Sequence, residues 1–246
     1  MRMMHWWISS AIVLSLGACG GAEPPAAAAT DSTSTGSEAP PTSEALSQHM
    51  SANFRLAIDA RKAIVDGDLA GAKAKATELA ALDYKGLLPE AWLGGAAKMQ
   101  AAARALGEAP NLTAAATELA KLASTCGDCH SQLGESSQDQ TEHAKFAGTG
   151  SEDIVDRMAR HQRGADEMWF GLSMPSEASW QEGGKVLSEA PETSPSVEGK
   201  PGDAALAAKM AGVRELGVKA LAAKDTPTRI AVYGELLGQC AGCHGQ

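Results

Sequence analysis

Residues 111–130, NLTAAATELAKLASTCGDCH, and residues 225–244, DTPTRIAVYGELLGQCAGCH, decide how this chain is read. Each opens on a residue that caps helices, Asn111 or Asp225. Each runs on through small and apolar residues, Leu112, Leu119 and Leu122 in the first, and each ends in Cys-x-x-Cys-His. The two motifs are Cys126-Gly127-Asp128-Cys129-His130 and Cys240-Ala241-Gly242-Cys243-His244, with Cys240 standing 114 residues after Cys126. Upstream, Ala96-Ala97-Lys98-Met99 recurs as Ala207-Ala208-Lys209-Met210, and Arg104-Ala105-Leu106-Gly107 as Arg214-Glu215-Leu216-Gly217. Met50 lies 80 residues before His130 and Met158 lies 86 before His244. Short alanine-rich matches arise by chance in such a chain. The kept order, however, points to a diverged tandem repeat joined across the polar stretch between Gly134 and Gly150.

Each repeat predicts four helices. Ser43 or Ser47 caps a first helix to about Val65. Along it Met50, Phe54, Ala57, Ile58, Arg61, Ile64 and Val65 follow the spacing of one helical face. Asp66-Gly67-Asp68 breaks that helix and caps a second to about Leu82. A third spans Pro89 to Leu106, and Asn111 begins the fourth. In the second repeat Asp153 to Leu172 is the first helix, and Pro175 opens the second. A Pro- and Gly-rich loop fills Pro191 to Gly202, Asp203 to Ala223 is the third helix, and Asp225-Thr226-Pro227 starts the fourth. No period-2 strand pattern interrupts the series. The expected fold is all-α, two tandem antiparallel four-helix bundles over 44–134 and 151–246 with a linker at 135–150.

At 246 residues, 44% hydrophobic and 21% charged, the chain can bury a core and has no composition for wholesale disorder. With 21 basic against 30 acidic residues the net charge is −9, which argues against a nucleic-acid binder. The N-terminus reads as an address. Arg2 precedes an apolar run from Trp6 to Leu16, too short to span a bilayer and suited to a signal-peptide core. The run ends in Leu16-Gly17-Ala18-Cys19, which resembles a bacterial lipobox. Residues 1–18 are then a signal peptide and Cys19 a lipidated N-terminus, with cleavage at small residues and an incidental Cys19 as the alternative. Removing Arg2 leaves 20 basic against 30 acidic residues, a balance of −10. Gly20 rather than Asp resembles the pattern exported onward to an outer membrane. Residues 20–43 carry no large apolar side chain and cannot repay ordering by burial, so they read as a disordered tether of roughly 25 Å reach. Both readings of Cys19 place the protein outside the cytoplasm, in the periplasm.

The chemistry lies in the two CxxCH motifs. Thiols two residues apart lie close together where a helix begins. Each can add to one vinyl of a haem, and the adjacent histidine then reaches the iron. Four thiolates from Cys126, Cys129, Cys240 and Cys243 could instead hold zinc, and each pair could be a redox dithiol or a disulfide. Neither alternative explains a histidine after both pairs. Two covalent haem c groups are therefore expected, on Cys126 and Cys129 and on Cys240 and Cys243, with His130 and His244 as proximal ligands. Only Gly245 and Gln246 follow His244, so any sixth ligand in that repeat must lie upstream.

CxxCH at the C-terminal end of a helical repeat resembles the class II cytochromes c, the cytochrome c-prime superfamily, once over 44–134 and once over 151–246. The resemblance implies a haem inside each four-helix bundle. It implies either a methionine on the first helix as sixth ligand, or an open iron that binds small gases. Met50 and Met158 stand where that methionine would be, and as ordinary core methionines where it would not. His49, next to Met50, and His161, three residues after Met158, are competing ligands; Asn53 holds the place of His161 in the first repeat. Arg104 and Arg214 could pair with haem propionates or simply be solvated, and Phe54, Trp92 and Trp169 could line haem pockets or the core. His5 and His143 are bland.

The leading expectation is a membrane-tethered dihaem cytochrome c that relays electrons and is no enzyme. Its expected partners are redox proteins, basic ones suiting its negative charge, and a membrane reached through the N-terminal lipid, with no nucleic acid. The resemblance also allows a homodimer. The alternative is a gas-binding or sensing protein with at least one open iron. A dihaem peroxidase matches poorly, because those enzymes carry CxxCH near the start of each domain.

Overall fold

In the computed structural model the described residues are 43–132, 154–189 and 204–245. The chain divides into two units, Met1–Ser37 and Glu38–Gln246, and every described residue belongs to the second. The expected signal peptide, Cys19, nearly all of the expected tether and the expected linker lie outside the described residues, as do His5 and His143. Among the described residues all regular structure is helical, in eight helices: α1 Ser43–Val65, α2 Leu69–Ala80, α3 Glu90–Glu108, α4 Leu112–Gln132, α5 Ile154–Ser173, α6 Glu177–Ser188, α7 Ala204–Ala222 and α8 Thr226–His244. No described helix is long and apolar enough to cross a membrane.

Local chemistry sets most boundaries. Asp68 accepts the Gly71 N–H and caps α2, Asn111 accepts the Ala114 N–H and begins α4, and Asp225 accepts the Thr228 N–H at the start of α8. Gly67, at φ +78°, makes the turn between α1 and α2, a backbone state costly for other residues. The start of α6 departs from expectation. Ser176, not Pro175, sits at its cap, accepting the Ser179 N–H, and Pro175 lies one residue outside. Pro cannot accept a hydrogen bond through its side chain, so the hydroxyl next to it takes the role.

The helices pack in the same order twice. α1 packs on α2, α2 on α3, α3 on α4, and α4 returns to α1; α5, α6, α7 and α8 repeat the series. The two sets share a core, because α4 packs along α8 and touches α5, while α1 also reaches α8. A small residue permits the α4–α8 approach: Gly234 of α8 lies against the backbone of Thr117 of α4. Leu119 and Leu122 with Ile64, Leu79 and Leu106 join Met168, Trp169, Trp180, Tyr233, Leu236 and Leu237 in one hydrophobic cluster. Tyr84, Leu88 and Ala96 form a second, smaller one, against which Met50, Trp92 and Met99 pack.

The buried face of α1 is turned slightly from the expected one. Asn53, Ala57, Ala60, Arg61 and Ile64 are buried, whereas Phe54 is 39% exposed and stacks on Phe170 at the edge. The chain gives that face to small and polar side chains, two of which look toward the sites described next.

Candidate functional site

Residues at i, i+3 and i+4 share one helical face. Both motifs are helical through their histidines, so Cys126, Cys129 and His130 project together from the last turns of α4, and Cys240, Cys243 and His244 from those of α8. The thiol pairs therefore stand at helix C-terminal ends, not at helix starts. The four cysteines are free thiols. Among the described residues no three His, Cys, Asp or Glu side chains converge as a metal site, so the two pairs do not meet in one four-thiolate centre.

The second motif opens on a cavity of about 580 Å³, within the roughly 300–1,000 Å³ typical of cofactor pockets. Helix α8 lines it with Gln239, Cys240, Cys243 and His244, and α5 with Ile154, Met158, His161, Gln162 and Ala165. Helix α7 adds Leu206, Lys209, Met210 and Val213, again at one-face spacing, and α1 adds Arg61 and Val65. Lys209 Nζ donates to the Gly242 carbonyl at 2.8 Å, and Gln239 Nε2 to the Lys209 carbonyl at 3.2 Å, which tie α7 to the motif. Arg61 is buried, ion-paired with Asp166 of α5, and its Nε has no hydrogen-bond partner. His161 Nε2 is likewise buried without one. Burial first, then the charges of Arg160, Arg157 and His244, push the His161 pKa down to about 4, so its imidazole is neutral at neutral pH.

The first motif is built differently. His130 Nδ1 lies 3.0 Å from the Ser173 carbonyl at the end of α5. A carbonyl only accepts, so Nδ1 is the donor and Nε2 is the nitrogen left to meet another partner. Gly127 lets α4 come this close: a Cβ there would stand 2.1 Å from the Leu172 carbonyl oxygen. Gly95 of α3 leaves room beside Cys129, whose Sγ would be 3.1 Å from an added Cβ. Met50 packs on the Tyr84 cluster, and the His49 ring meets Tyr84 edge-on at 4.8 Å. Burial and then the neighbouring Cys126 push the Tyr84 hydroxyl up to about 12. His49 Nε2, both amide atoms of Asn53 and the Tyr84 hydroxyl are buried with no hydrogen-bond partner. Such orphaned groups typically cost about 1–3 kcal/mol each unless something satisfies them.

The thiols are electrostatically quiet. Burial, reinforced by Cys129, pushes Cys126 up to about 12. Burial also pushes Cys240 up to about 11, against the pull of Arg61. Both stay protonated at neutral pH, unlike the low-pKa thiols of disulfide exchange.

Met158, Cys240, Cys243 and His244 are thus brought into one cavity, together with His161. Met50 is placed in the cluster beside Cys126, through Tyr84. Arg104 is exposed, and the Arg214 Nε donates to the Ser188 carbonyl; neither lines the cavity. Trp169 is buried in the shared core against Tyr233, Phe54 lies at its edge, and Trp92 packs on the Tyr84 cluster. Sequence reasoning missed Arg61 as a wall of the second cavity, although a charged residue among apolar face positions was a readable signal. Ser173, Tyr84 and Lys209 gave none. The donor sets fit a covalently bound haem: two thiols and an imidazole on one helical face, with a cavity beside the second set and unpartnered buried polar atoms beside both. Comparison of the chain with protein-family models, curated proteins and solved structures finds no match.

Proposed function

We propose that this protein is a periplasmic dihaem c-type cytochrome, built as two tandem antiparallel four-helix bundles, that passes electrons between redox partners and transforms no substrate. The observation that carries the reading is the second cavity, where Cys240, Cys243 and His244 face residues of three other helices across a space of cofactor size. The helix packing order that recurs in α1–α4 and α5–α8 supports equivalent sites in both halves.

A haem, when bound, supplies a one-electron couple at its iron. The chain does the rest. Cys126 and Cys129 hold one group, and Cys240 and Cys243 the other. His130 and His244 offer ring nitrogens, and the Ser173 carbonyl orients the first of these rings. Met50 is the candidate sixth ligand of the first site, and the α5 face bearing Met158 and His161 supplies that of the second. Ile154, Leu206, Met210 and Val213 give the second cavity an apolar lining. Cys19 bears the lipid, residues 20–43 hold the body off a bacterial membrane, and the mature balance of 20 basic against 30 acidic residues, −10, favours basic partner surfaces.

The test is the mass and visible spectrum of the mature protein, made in a host with haem-attachment machinery. Two covalent haems, low-spin when reduced and unmoved by carbon monoxide, are expected. Absence of covalent haem overturns the proposal. A haem fraction that is high-spin and binds carbon monoxide makes the protein a gas binder instead of a carrier.

A further inference from the structure

We propose that the sixth ligand of the haem held by Cys240 and Cys243 is His161 rather than Met158, so that this iron is bound by two histidines. The inference rests on the haem reading and deepens it. His161 and His244 line the same cavity from two different helices, α5 and α8. The His161 Nε2 is buried and has no hydrogen-bond partner. A ring nitrogen in that state is destabilising until a donor or a metal meets it. The Met158 thioether carries no such requirement, because sulfur accepts only weakly and packs well among apolar neighbours. Ile154, Leu206 and Met210 provide such neighbours in the same cavity. An iron between the two walls satisfies the histidine and leaves the methionine as packing.

The first half differs at the matching place. Three residues after Met50 stands Asn53, so that helical position offers no imidazole. His49 lies one residue before Met50, off the matching position, with its ring against Tyr84. Two histidines give a lower potential than histidine with methionine. A histidine pair would therefore lower the potential of the second-half haem relative to histidine with methionine at the same site.

The test uses the full holoprotein, with near-infrared magnetic circular dichroism and redox titration of the wild type, His161→Ala, His161→Met and Met158→Leu. Four results are expected. One of the two wild-type haems shows the bis-histidine charge-transfer band. Met158→Leu leaves both haems as they were. His161→Ala turns one of the two haems high-spin and open to carbon monoxide. His161→Met keeps that haem low-spin and raises its potential. Loss of one low-spin haem in Met158→Leu with none lost in His161→Ala would overturn the assignment. So would a wild-type second haem that is already high-spin. The wild-type spectrum decides the matter if a variant fails to fold. Protein that carries no covalent haem removes the haem reading itself, an outcome distinct from two haems with the wrong ligand.

Discussion

Gly127→Ala isolates what holds the first motif in place. The substitution turns Cys-Gly-Asp-Cys-His into Cys-Ala-Asp-Cys-His, and the second motif already has Ala241 at that position. The motif chemistry therefore tolerates alanine, and any effect must come from the surroundings. An added Cβ would meet the Leu172 carbonyl oxygen at 2.1 Å, where approaches below 3.0 Å essentially never occur. The end of α4 must then retreat from α5 by about 0.9 Å, and the obstacle is backbone, which cannot rotate aside. Overpacking of this kind costs about 1–3 kcal/mol, while alanine in a helix returns up to about 1 kcal/mol over glycine. A backbone obstacle puts the cost in the upper half of that range, so the expected net is a loss of about 1–2 kcal/mol. For a body of this size that lowers the melting temperature by roughly 2–8 °C. The same retreat stretches the 3.0 Å contact from His130 Nδ1 to the Ser173 carbonyl. Thermal unfolding followed by circular dichroism measures the first effect, and the visible spectrum of the haem proposed on Cys126 and Cys129 reports the second. Gly242→Ala is the control, because nothing lies within 4 Å of its added Cβ. Equal or higher stability of Gly127→Ala would refute the packing argument.

Other outcomes follow from single contacts. Trp180→Phe removes the buried donor of the 2.8 Å bond from Nε1 to the Ala220 carbonyl and strands that carbonyl between α6 and α7; a loss of about 1–3 kcal/mol in urea unfolding is expected, and an unchanged midpoint would show that water takes the vacated place. Glu177, paired with Arg229, has its carboxyl held below the ordinary value of 4.5 by that hydrogen bond. A depressed carboxyl stabilises the fold above its unfolded value, and the contribution disappears as pH falls from about 4.5 through the folded value. Glu177→Gln should flatten the acid limb of the stability curve slightly, because the side chain is 61% exposed and the pair is screened. An acid limb identical to the wild type's would remove the pair from the account.

The helices were legible because their ends are written in short-range chemistry. Asp68, Asn111 and Asp225 cap as their side chains demand, and the spacing of Cys126, Cys129 and His130 needs only a helix to place all three on one face. The start of α6 was misplaced because Pro175 and Ser176 are adjacent and either can open a helix; the hydroxyl decides it through a bond that composition does not reveal. The burial of α1 was misread by one position because Phe54 is the largest apolar residue in its stretch. Tertiary packing instead buries Asn53 and Ala60 and leaves the ring at an edge against Phe170. Ser173 could not have been found at all, since it acts through its backbone carbonyl, which every residue has.

The same contacts explain why the two halves, alike in sequence order, are unequal as sites. Each motif leans on the other half. His130 of the first is oriented by Ser173, at the end of the second half's α5, and Gly127 seats against Leu172 beside it. The cavity of the second is closed by Arg61 and Val65, from the first half's α1. The exchange is not symmetric: one half lends a neutral backbone acceptor, the other a buried guanidinium paired with the half-exposed Asp166. Charge fixed in a wall of low dielectric shifts any equilibrium that changes charge beside it far more than it would in water. Arg61 therefore opposes the loss of negative charge by whatever the second cavity holds, and so works against the lowering of potential that a histidine pair would bring there. Two sets of four helices placed around one shared core thus yield two environments, and the difference arises at the contact between the sets as much as within either.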